Sequence, residues 1–350
     1  MATRRLSRTP SFNMGRQSPK DDISVLENKY ISVPEELFTT NLNLLNIEAS
    51  LLSNIILAIF KRFIITIDYQ KVSPLALKEF VIDVCDTYKD VPYHNLHHAT
   101  NVLHSTFILI NKCGLFDQLN HDVLFGCLIA ALVHDIGHPG NNNLFEINTC
   151  SELALRYNDL SVLEQYHCSI AFELIKKHKL NSLLSHNEFI LFRKTIITSI
   201  LGTDMAHHKS MTDLLATKKV SGFNLTSMDE QILLCKMLLH AADIGNPIHP
   251  PELCEEWARL VGYEFHNQIV KEKELGLNPF SSLDITCDIS FFSSEIGFMT
   301  YVCLPYWKTF SDIYPELCEE LENIKINLQV FTEKLAAAER KNSVFFEKYS

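Results

Sequence analysis

The chain has 350 residues, 47% of them hydrophobic, with 11 glycines, 12 prolines and a formal net charge of −11. This length supports a large buried core in one domain or two, and the low glycine and proline content favours helix. The negative charge argues against a general nucleic-acid binder, because neutralising phosphates needs a basic surface, so an anionic substrate would need a local source of positive charge.

Residues 1–34 are predicted to be a disordered tail and lead-in to the folded domain. The first 22 residues are basic and rich in Ser and Pro, so they cannot bury enough apolar surface to offset the entropy of ordering. Within them, the "RRLS" pattern that ends at Ser7 resembles a basophilic kinase site. Such short patterns arise often by chance, so a kinase acting on Ser7 and a merely solvated tail both stay open, and the solvated tail is favoured.

Apolar residues recur at helical spacing from about residue 35 to the C-terminus, which predicts one all-α domain over residues 35–350. Helix breakers interrupt the pattern at Pro139–Gly140, at Gly202 and at Asn246–Pro247. Neither a linker nor an internal repeat is visible within this stretch. A single large helical domain is therefore the simplest interpretation.

Two further features bear on the compartment. The ten cysteines are scattered without a CxxC pair, which is typical of reduced thiols in a cytoplasmic protein. The most apolar run, residues 51–67, contains Lys61 and Arg62 and is too short for a bilayer. We therefore expect a cytoplasmic protein without a signal peptide and without membrane insertion.

Four apolar helices are interrupted by polar side chains that can bind a metal. In chain order these groups are His94 with His98; His134 with Asp135 and His138; Thr203 with Asp204 and His208; and His240 with Asp243. Each group alone is typical of a buried polar side chain that has found a hydrogen-bond partner. Four such groups at helix ends indicate a shared cation, because a buried carboxylate is costly unless a positive charge compensates it.

The residue types in these groups also narrow the kind of metal site. Imidazole and carboxylate ligands suit zinc, manganese or magnesium. No cysteine stands at zinc-finger spacing to them, which disfavours a structural zinc site. Mixed nitrogen and oxygen ligands with room for water are typical of a catalytic metal centre.

The same residues belong to a longer, ordered series of motifs. The series consists of "YHNLHH" at 93–98, "HDIGHPGNNNLF" at 134–145, "INTCSELALRYNDLSVLEQYH" at 147–167, "TDMAHH" at 203–208, "HAADIGNP" at 240–247, "YEFHNQ" at 263–268 and "SEIGFMTYVCLPYW" at 294–307. It resembles the catalytic domain of class I 3′,5′-cyclic-nucleotide phosphodiesterases. The resemblance implies a compact all-α fold of about sixteen helices, of the HD superfamily. It also implies hydrolysis of cAMP, cGMP or both to 5′-monophosphates, which ends cyclic-nucleotide signalling.

The resemblance further implies a role for individual residues. The ligands of a tight zinc site would be His98, His134, Asp135 and Asp243. Asp135 would bridge to a second ion, magnesium or manganese, and His94 would protonate the departing 3′ oxygen as general acid. The residues that would orient water on the metals are His138, Glu164 and Thr203. The residues that would bind the nucleotide are Tyr93, Asn246, Val261, Glu295 and Phe298.

Glu295 departs from the family pattern in a way that matters for the base. The family has a glutamine at this position, three residues before the phenylalanine that would stack on the purine, here Phe298. A glutamine amide both donates and accepts hydrogen bonds, whereas an ionised carboxylate only accepts them. Nucleotide binding would therefore be weaker or more pH-dependent than in relatives, or else the pocket has adapted around an acid.

Three functions remain to be weighed on this basis. The intact His94 and ligand set favour an active cyclic-nucleotide phosphodiesterase. The alternative is a metal- and nucleotide-binding regulatory module with little or no activity, because of Glu295. A general His-Asp phosphohydrolase is disfavoured, since it would leave Phe298 unexplained. Relatives specific for cAMP and relatives specific for cGMP share these motifs, so both substrates stay open, as do a monomer and a homodimer.

Overall fold

In the computed structural model, which describes residue 39 and residues 42–349 and their side chains up to residue 342, every regular element is a helix. This confirms the predicted all-α fold. The predicted N-terminal tail, residues 1–34, with the kinase pattern at Ser7, lies outside the described residues.

The α-helices are numbered in chain order. They are α1 Ala49–Thr66, α2 Pro74–Thr87, α3 Leu96–Lys112, α4 His121–Val133, α5 Asn143–Asn148, α6 Glu152–Tyr157, α7 Val162–Lys177, α8 His186–Leu201, α9 His208–Ser221, α10 Met228–Asp243, α11 Pro251–Glu274, α12 Asp288–Phe298, α13 Leu304–Ile313 and α14 Cys318–Tyr349. Short 3-10 helices stand at Leu44–Asn46, Met205–His207, Asn246–Ile248 and Pro315–Leu317. A π-helical turn, Met299–Cys303, joins α12 to α13.

Helix α4 forms the centre of the core. Its side chains are buried from Asp122 to Val133, and it packs against α3, α8 and α10. Phe125 stacks on Phe192 of α8 with ring centroids 5.4 Å apart and on Phe63 of α1 at 6.1 Å. Each such aromatic side chain stabilises the fold by roughly 1.5–3 kcal/mol through burial. The C-terminal end of α4, where the polar residues begin, is therefore held rigidly.

Helix α1 has the length and composition of a membrane-spanning helix. One face of it is fully buried in the core, however, with Ile56, Phe60 and Phe63 packed against the other helices. A buried apolar face of this kind is what a core helix requires. The absence of membrane insertion remains a prediction.

Local capping fixes where the site helices begin. The Asn95 side chain accepts hydrogen bonds from the backbone N–H groups of His97 and His98, at 2.9 and 3.3 Å. An asparagine at this position satisfies donors that have no partner inside the helix. Helix α3 therefore begins at Leu96, and His98 lies in its first turn.

The sharp turn after α10 depends on a glycine. A side chain at Gly245 would meet the carbonyl oxygen of Ala242 at 2.6 Å, which is closer than real contacts allow. The 3-10 helix Asn246–Ile248 follows directly, and α11 begins at Pro251. The turn brings Asn246 back towards the end of α10, where Asp243 lies.

All ten cysteines lie within the described residues, and all are free. Six of them are buried, as expected of thiols that fill the core, and Cys85 is partly buried. The reduced state of the thiols and the cytoplasmic location remain predictions.

Candidate active site

Two histidines and two aspartates from distant parts of the chain meet in one cluster. His98 lies in the first turn of α3, His134 and Asp135 directly follow α4, and Asp243 is the last residue of α10. Their ligand atoms all lie within 4.8 Å of one another. The Nε2 atom of His134 lies 3.2 Å from His98 Nε2, 3.1 Å from Asp135 Oδ2 and 3.2 Å from Asp243 Oδ1. The structure thus brings together the four residues that the resemblance assigned to zinc.

The tautomer of His134 is set by the backbone. Its Nδ1 lies 3.0 Å from the carbonyl oxygen of Ala131, so Nδ1–H donates there and Nε2 faces the cluster, where it would lose its proton to bind a metal. His167 is held in the same way, with Nδ1 donating to the carbonyl oxygen of Ile136 at 2.7 Å. A neutral imidazole oriented by its other nitrogen is the usual form of a metal-binding histidine.

The electrostatics of the cluster call for a positive charge. Burial disfavours the charged form of His134, but the carboxylates of Asp135 and Asp243 outweigh it and hold its pKa well above the ordinary value. Burial likewise opposes ionisation of Asp243, but the charge of His134 outweighs it and lowers the pKa of that carboxyl. Two imidazoles and two carboxylates so close together fit a divalent cation, which would satisfy every lone pair at once.

A second ion pair lies beside the cluster, between His94 and Glu264. His94 Nδ1 makes a short contact with Glu264 Oε1, while Oε2 accepts the backbone N–H groups of Tyr93 and His94 at 2.9 and 3.1 Å. Burial opposes the charge on His94, but the Glu264 carboxylate outweighs it and raises the pKa of His94 to about 9. His94 therefore keeps a proton at neutral pH, with Nε2 available to a ligand.

Glu264 is a residue of this site that the sequence analysis did not identify. It stands 170 positions after His94 on a different helix, so no local spacing links the two. The signal that could have revealed it is the "YEFHNQ" motif, in which it is a carboxylate on the buried face of α11. A buried carboxylate needs a partner, and His94 supplies it.

His138 stacks on His94, with ring centroids 4.1 Å apart. The backbone N–H of Gly140 donates to His138 Nδ1 at 3.0 Å, so the proton of the neutral ring is on Nε2. Burial and the neighbouring positive charge of His94 hold the pKa of His138 well below its usual range. His138 is therefore a neutral hydrogen-bond donor next to Asp135.

These groups line one cavity of about 330 Å³, a size suited to a small ligand. The predicted residues on its wall are His94, Asp135, His138, Glu164, Thr203 and Asp243. Burial and the charge of Asp204 raise the pKa of Glu164 to about 7, and Asn143 Nδ2 donates to it at 2.9 Å. Thr203 donates its hydroxyl hydrogen to the carbonyl oxygen of Ile200 at 2.8 Å, which leaves its oxygen as an acceptor.

Tyr93, just before α3, and Asn246, in the turn after α10, contact each other beside the cluster. Asn246 Nδ2 lies 3.0 Å from the Tyr93 hydroxyl, and the Tyr93 ring centroid lies 4.4 Å from that of His98. Val261 of α11 packs against the small apolar group formed by Tyr93 and Trp257. Three of the five predicted nucleotide-binding residues are therefore linked by contacts.

Glu295 and Phe298 lie one turn apart on α12. None of the five predicted nucleotide-binding residues is among the described residues that line the cavity. Burial raises the pKa of Glu295 to about 7. Within the part of the chain that the structure describes, no hydrogen bond or ion pair reaches its carboxylate. Burial and the charge of Glu295 raise the pKa of the Cys303 thiol. That thiol donates a hydrogen bond to the carbonyl oxygen of Ile244, one residue after Asp243.

A family model described as "3'5'-cyclic nucleotide phosphodiesterase" matches residues 93–324. The mouse protein named "High affinity cGMP-specific 3',5'-cyclic phosphodiesterase 9A" is 32% identical over 254 residues, which cover 71% of this chain and 47% of that protein. The Caenorhabditis elegans "Probable 3',5'-cyclic-AMP phosphodiesterase pde-4" is 33% identical over 272 residues, covering 74% of this chain and 40% of that protein. The chain thus spans less than half the length of these two relatives.

The fold also matches solved structures. The phosphodiesterase domain of the RhoPDE fusion protein from the choanoflagellate Salpingoeca rosetta superposes with a TM-score of 0.82 at 32% identity. That match covers 88% of this chain and 98% of the other.

Proposed function

The chain belongs to the 3′,5′-cyclic nucleotide phosphodiesterase family, and from this premise we propose that it hydrolyses 3′,5′-cyclic nucleotides to 5′-monophosphates with two divalent metal ions. The observation that carries the proposal is the cluster of His98, His134, Asp135 and Asp243 beside the protonated His94. A general acid next to a metal-binding cluster is the arrangement that hydrolysis of a phosphodiester needs.

The donor set fits the two ions that the proposal requires. A tight site, suited to zinc, would be held by His98, His134, Asp135 and Asp243, and a second ion, magnesium or manganese, by Asp135 with water. When bound, the ions would neutralise the phosphate and lower the pKa of a water molecule that attacks phosphorus. They would also supply the positive charge that a chain with a net charge of −11 otherwise lacks.

The chain's own residues handle the leaving group. As the bond between phosphorus and the 3′ oxygen breaks, that oxygen gains negative charge and needs a proton. His94 donates it, and Glu264 stabilises the charged imidazole before the transfer and fixes its orientation. The backbone bonds from Tyr93 and His94 to Glu264 hold this pair in place.

The polar wall of the cavity would orient water. His138 offers an N–H, Thr203 offers an acceptor oxygen, and Glu164 has a carboxyl whose protonation is finely balanced. Supporting groups of this kind typically change metal affinity or activity by about 10–100-fold when removed.

The nucleotide would bind between the metal cluster and α12, with its base near Val261, Glu295 and Phe298. A second candidate function rests on Glu295, whose half-buried carboxyl has no hydrogen bond or ion pair within the described residues. If an ionised Glu295 rejects the base, the chain would be a metal- and nucleotide-binding module with little activity. The complete His94–Glu264 pair favours the enzyme.

Hydrolysis of cAMP and cGMP, followed side by side with magnesium or manganese, tests the proposal. We expect turnover of at least one nucleotide, and none from the Asp243→Ala variant. The ratio of the two values of kcat/KM would identify the preferred substrate. A folded, metal-loaded wild-type protein that cleaves neither nucleotide would overturn the enzymatic function and favour the binding module.

A further inference from the structure

The C-terminal helix α14 holds the turn that follows Asp243. The Asn327 side chain donates hydrogen bonds to the carbonyl oxygens of Pro247 and His249, both at 2.8 Å. One turn earlier on the helix, Asn323 donates to the carbonyl oxygen of Ile248 at 2.8 Å. Three consecutive carbonyl groups of the turn are thus bound by two amide side chains that lie more than seventy residues later in the chain.

The turn needs these donors because it has few of its own. Prolines at 247, 250 and 251 remove three backbone N–H groups from the segment. The internal bonds that remain join the N–H of Ile248 to the carbonyl oxygen of Gly245, at 3.0 Å, and the N–H of His249 to that of Asn246, at 3.4 Å. A buried carbonyl group without a hydrogen-bond partner is costly. The two amide side chains of α14 therefore fix the position of this backbone segment.

The position of the turn reaches the active site through Asn246. This residue begins the turn, and its side chain bonds the Tyr93 hydroxyl, whose ring lies against His98. Asp243 ends the helix three residues before it. A shift of the turn would therefore move Asn246 and Tyr93, two of the proposed nucleotide-binding residues, relative to His98 of the metal cluster.

Asn327 lies beyond the part of the chain that matches the family model, which ends at residue 324. Asn327 is fully buried, and both N–H groups of its amide donate hydrogen bonds to the turn. A side chain that served only to pack α14 against the core would have no reason to be an amide. An apolar residue would serve that purpose without the cost of burying polar atoms.

We propose that Asn327 and Asn323 are positioning residues for nucleotide binding: from α14 they set the place of the Asn246 turn relative to the metal cluster. The inference rests on the proposed function. It identifies the C-terminal helix as part of the machinery that fixes affinity for the substrate, although neither residue lines the cavity among the described side chains.

The test compares Asn327→Asp with Ile324→Ala. Aspartate has the shape of asparagine but no amide N–H, so it loses both bonds and turns oxygen atoms towards the carbonyls. Ile324 is fully buried on the same helix, one turn away, and makes no contact of this kind, so its variant controls for a loss of stability. Asn323→Asp, at a half-buried position with one bond to the turn, serves as a milder variant should Asn327→Asp fail to fold.

We expect Asn327→Asp to lower kcat/KM by between about tenfold and a hundredfold, as displacements of about 1 Å at an active site do. The loss should lie mainly in KM, because the His94–Glu264 pair is not on the turn. Asn323→Asp should show a smaller rise in KM, and Ile324→Ala should lower Tm while KM stays within about twofold of wild type.

Hydrogen exchange provides a readout that does not depend on turnover. The backbone amides of Ile248 and His249 should exchange faster in the two Asn→Asp variants and at the wild-type rate in Ile324→Ala. The inference would be overturned if all three variants changed KM and amide exchange equally. It would also be overturned if neither Asn327→Asp nor Asn323→Asp changed KM or amide exchange. Wild-type turnover alone decides the proposed function. If it is absent, the exchange rates still decide whether α14 holds the turn.

Discussion

The metal cluster and helix α12, which carries the proposed base-binding residues Glu295 and Phe298, are built in different ways. In the cluster, every charged group has a close partner: His134 lies between Asp135 and Asp243, and His94 pairs with Glu264. On α12, Glu295 has no hydrogen bond or ion pair among the described residues. The cluster is preorganised for one kind of chemistry. On α12, by contrast, Glu295 has a pKa of about 7, so its carboxyl is only partly ionised near neutral pH. Catalysis and substrate recognition should therefore respond separately to mutation and to pH.

Loss of Asp243, a proposed metal ligand, should have the largest effect, because the proposed ligands would act as a unit. We expect Asp243→Ala to lower kcat by more than about 10⁴-fold, a loss typical of removing one member of a catalytic unit. The bound metal, measured by elemental analysis of the purified protein, should fall with it. Normal metal content together with normal turnover in this variant would show that the cluster is not the catalytic centre.

Loss of the partner of His94 should have the next largest effect. Glu264→Gln removes the charge that favours protonated His94, so the general acid is populated less at neutral pH. We expect kcat to fall by about 10²–10⁴-fold, the usual contribution of general acid–base catalysis, with KM nearly unchanged. The matched control is Glu272→Gln on the same helix, whose buried carboxylate accepts hydrogen bonds from Gln268 and from the backbone of Phe280. A Glu264→Gln variant with a raised KM and an unchanged kcat would show that Glu264 acts in substrate binding and not in proton transfer.

Glu295→Gln should change nucleotide binding rather than catalysis. Below a pKa of about 7, the carboxyl of Glu295 is protonated and can both donate and accept a hydrogen bond; above it, the carboxylate only accepts. The KM of the wild type should therefore rise between pH 6 and pH 8. At pH 8 the variant should bind about tenfold more tightly, the value of one well-made hydrogen bond.

The control for Glu295→Gln is Glu322→Gln, an exposed carboxylate on α14 that pairs with Lys325. It should leave KM as in the wild type at both pH values. If Glu295→Gln leaves KM unchanged across this range, the pocket has adapted to the acid, and Glu295 does not weaken nucleotide binding.

The smallest effect should be on thermal stability. Burial raises the folded-state pKa of Glu295 from 4.5 to about 7, so the folded state holds a proton that the unfolded state has already released within this window. Stability is then lost as pH rises from about 4.5 to 7, and the loss is complete above pH 7. We expect Tm of Glu295→Gln to exceed that of the wild type by about 2–4 °C at pH 8, and the gap to close by pH 5. A difference in Tm between the two proteins that does not change with pH would contradict the raised pKa of Glu295.

Local sequence patterns predicted the helices and the cluster well. The apolar periodicity indicated an all-α fold, and the ordered motifs named four ligands that the structure places within 4.8 Å of one another. These residues stand at the ends of apolar helices, where a polar side chain is conspicuous. The predicted roles of the individual residues remain to be tested by mutation.

The partners that hold the site were not predictable in the same way. Glu264 lies 170 residues from His94, and Asn327 lies 80 residues from Pro247. Such pairs form only because helices distant in sequence pack together, and a glutamate or asparagine on a helix has no local pattern that names its partner. The helix break at Asn246–Pro247 was predictable from the sequence, but the side chains that bind the carbonyl groups of the turn were not.

The most direct test is to measure bound metal and turnover on the same sample while metal is removed by a chelator and then restored. Turnover should fall as the metal is lost, and it should return when zinc together with magnesium or manganese is supplied, with two ions bound per chain. Full turnover of a cyclic nucleotide by metal-free protein would contradict the proposal that the cluster of His98, His134, Asp135 and Asp243 works by holding metal ions.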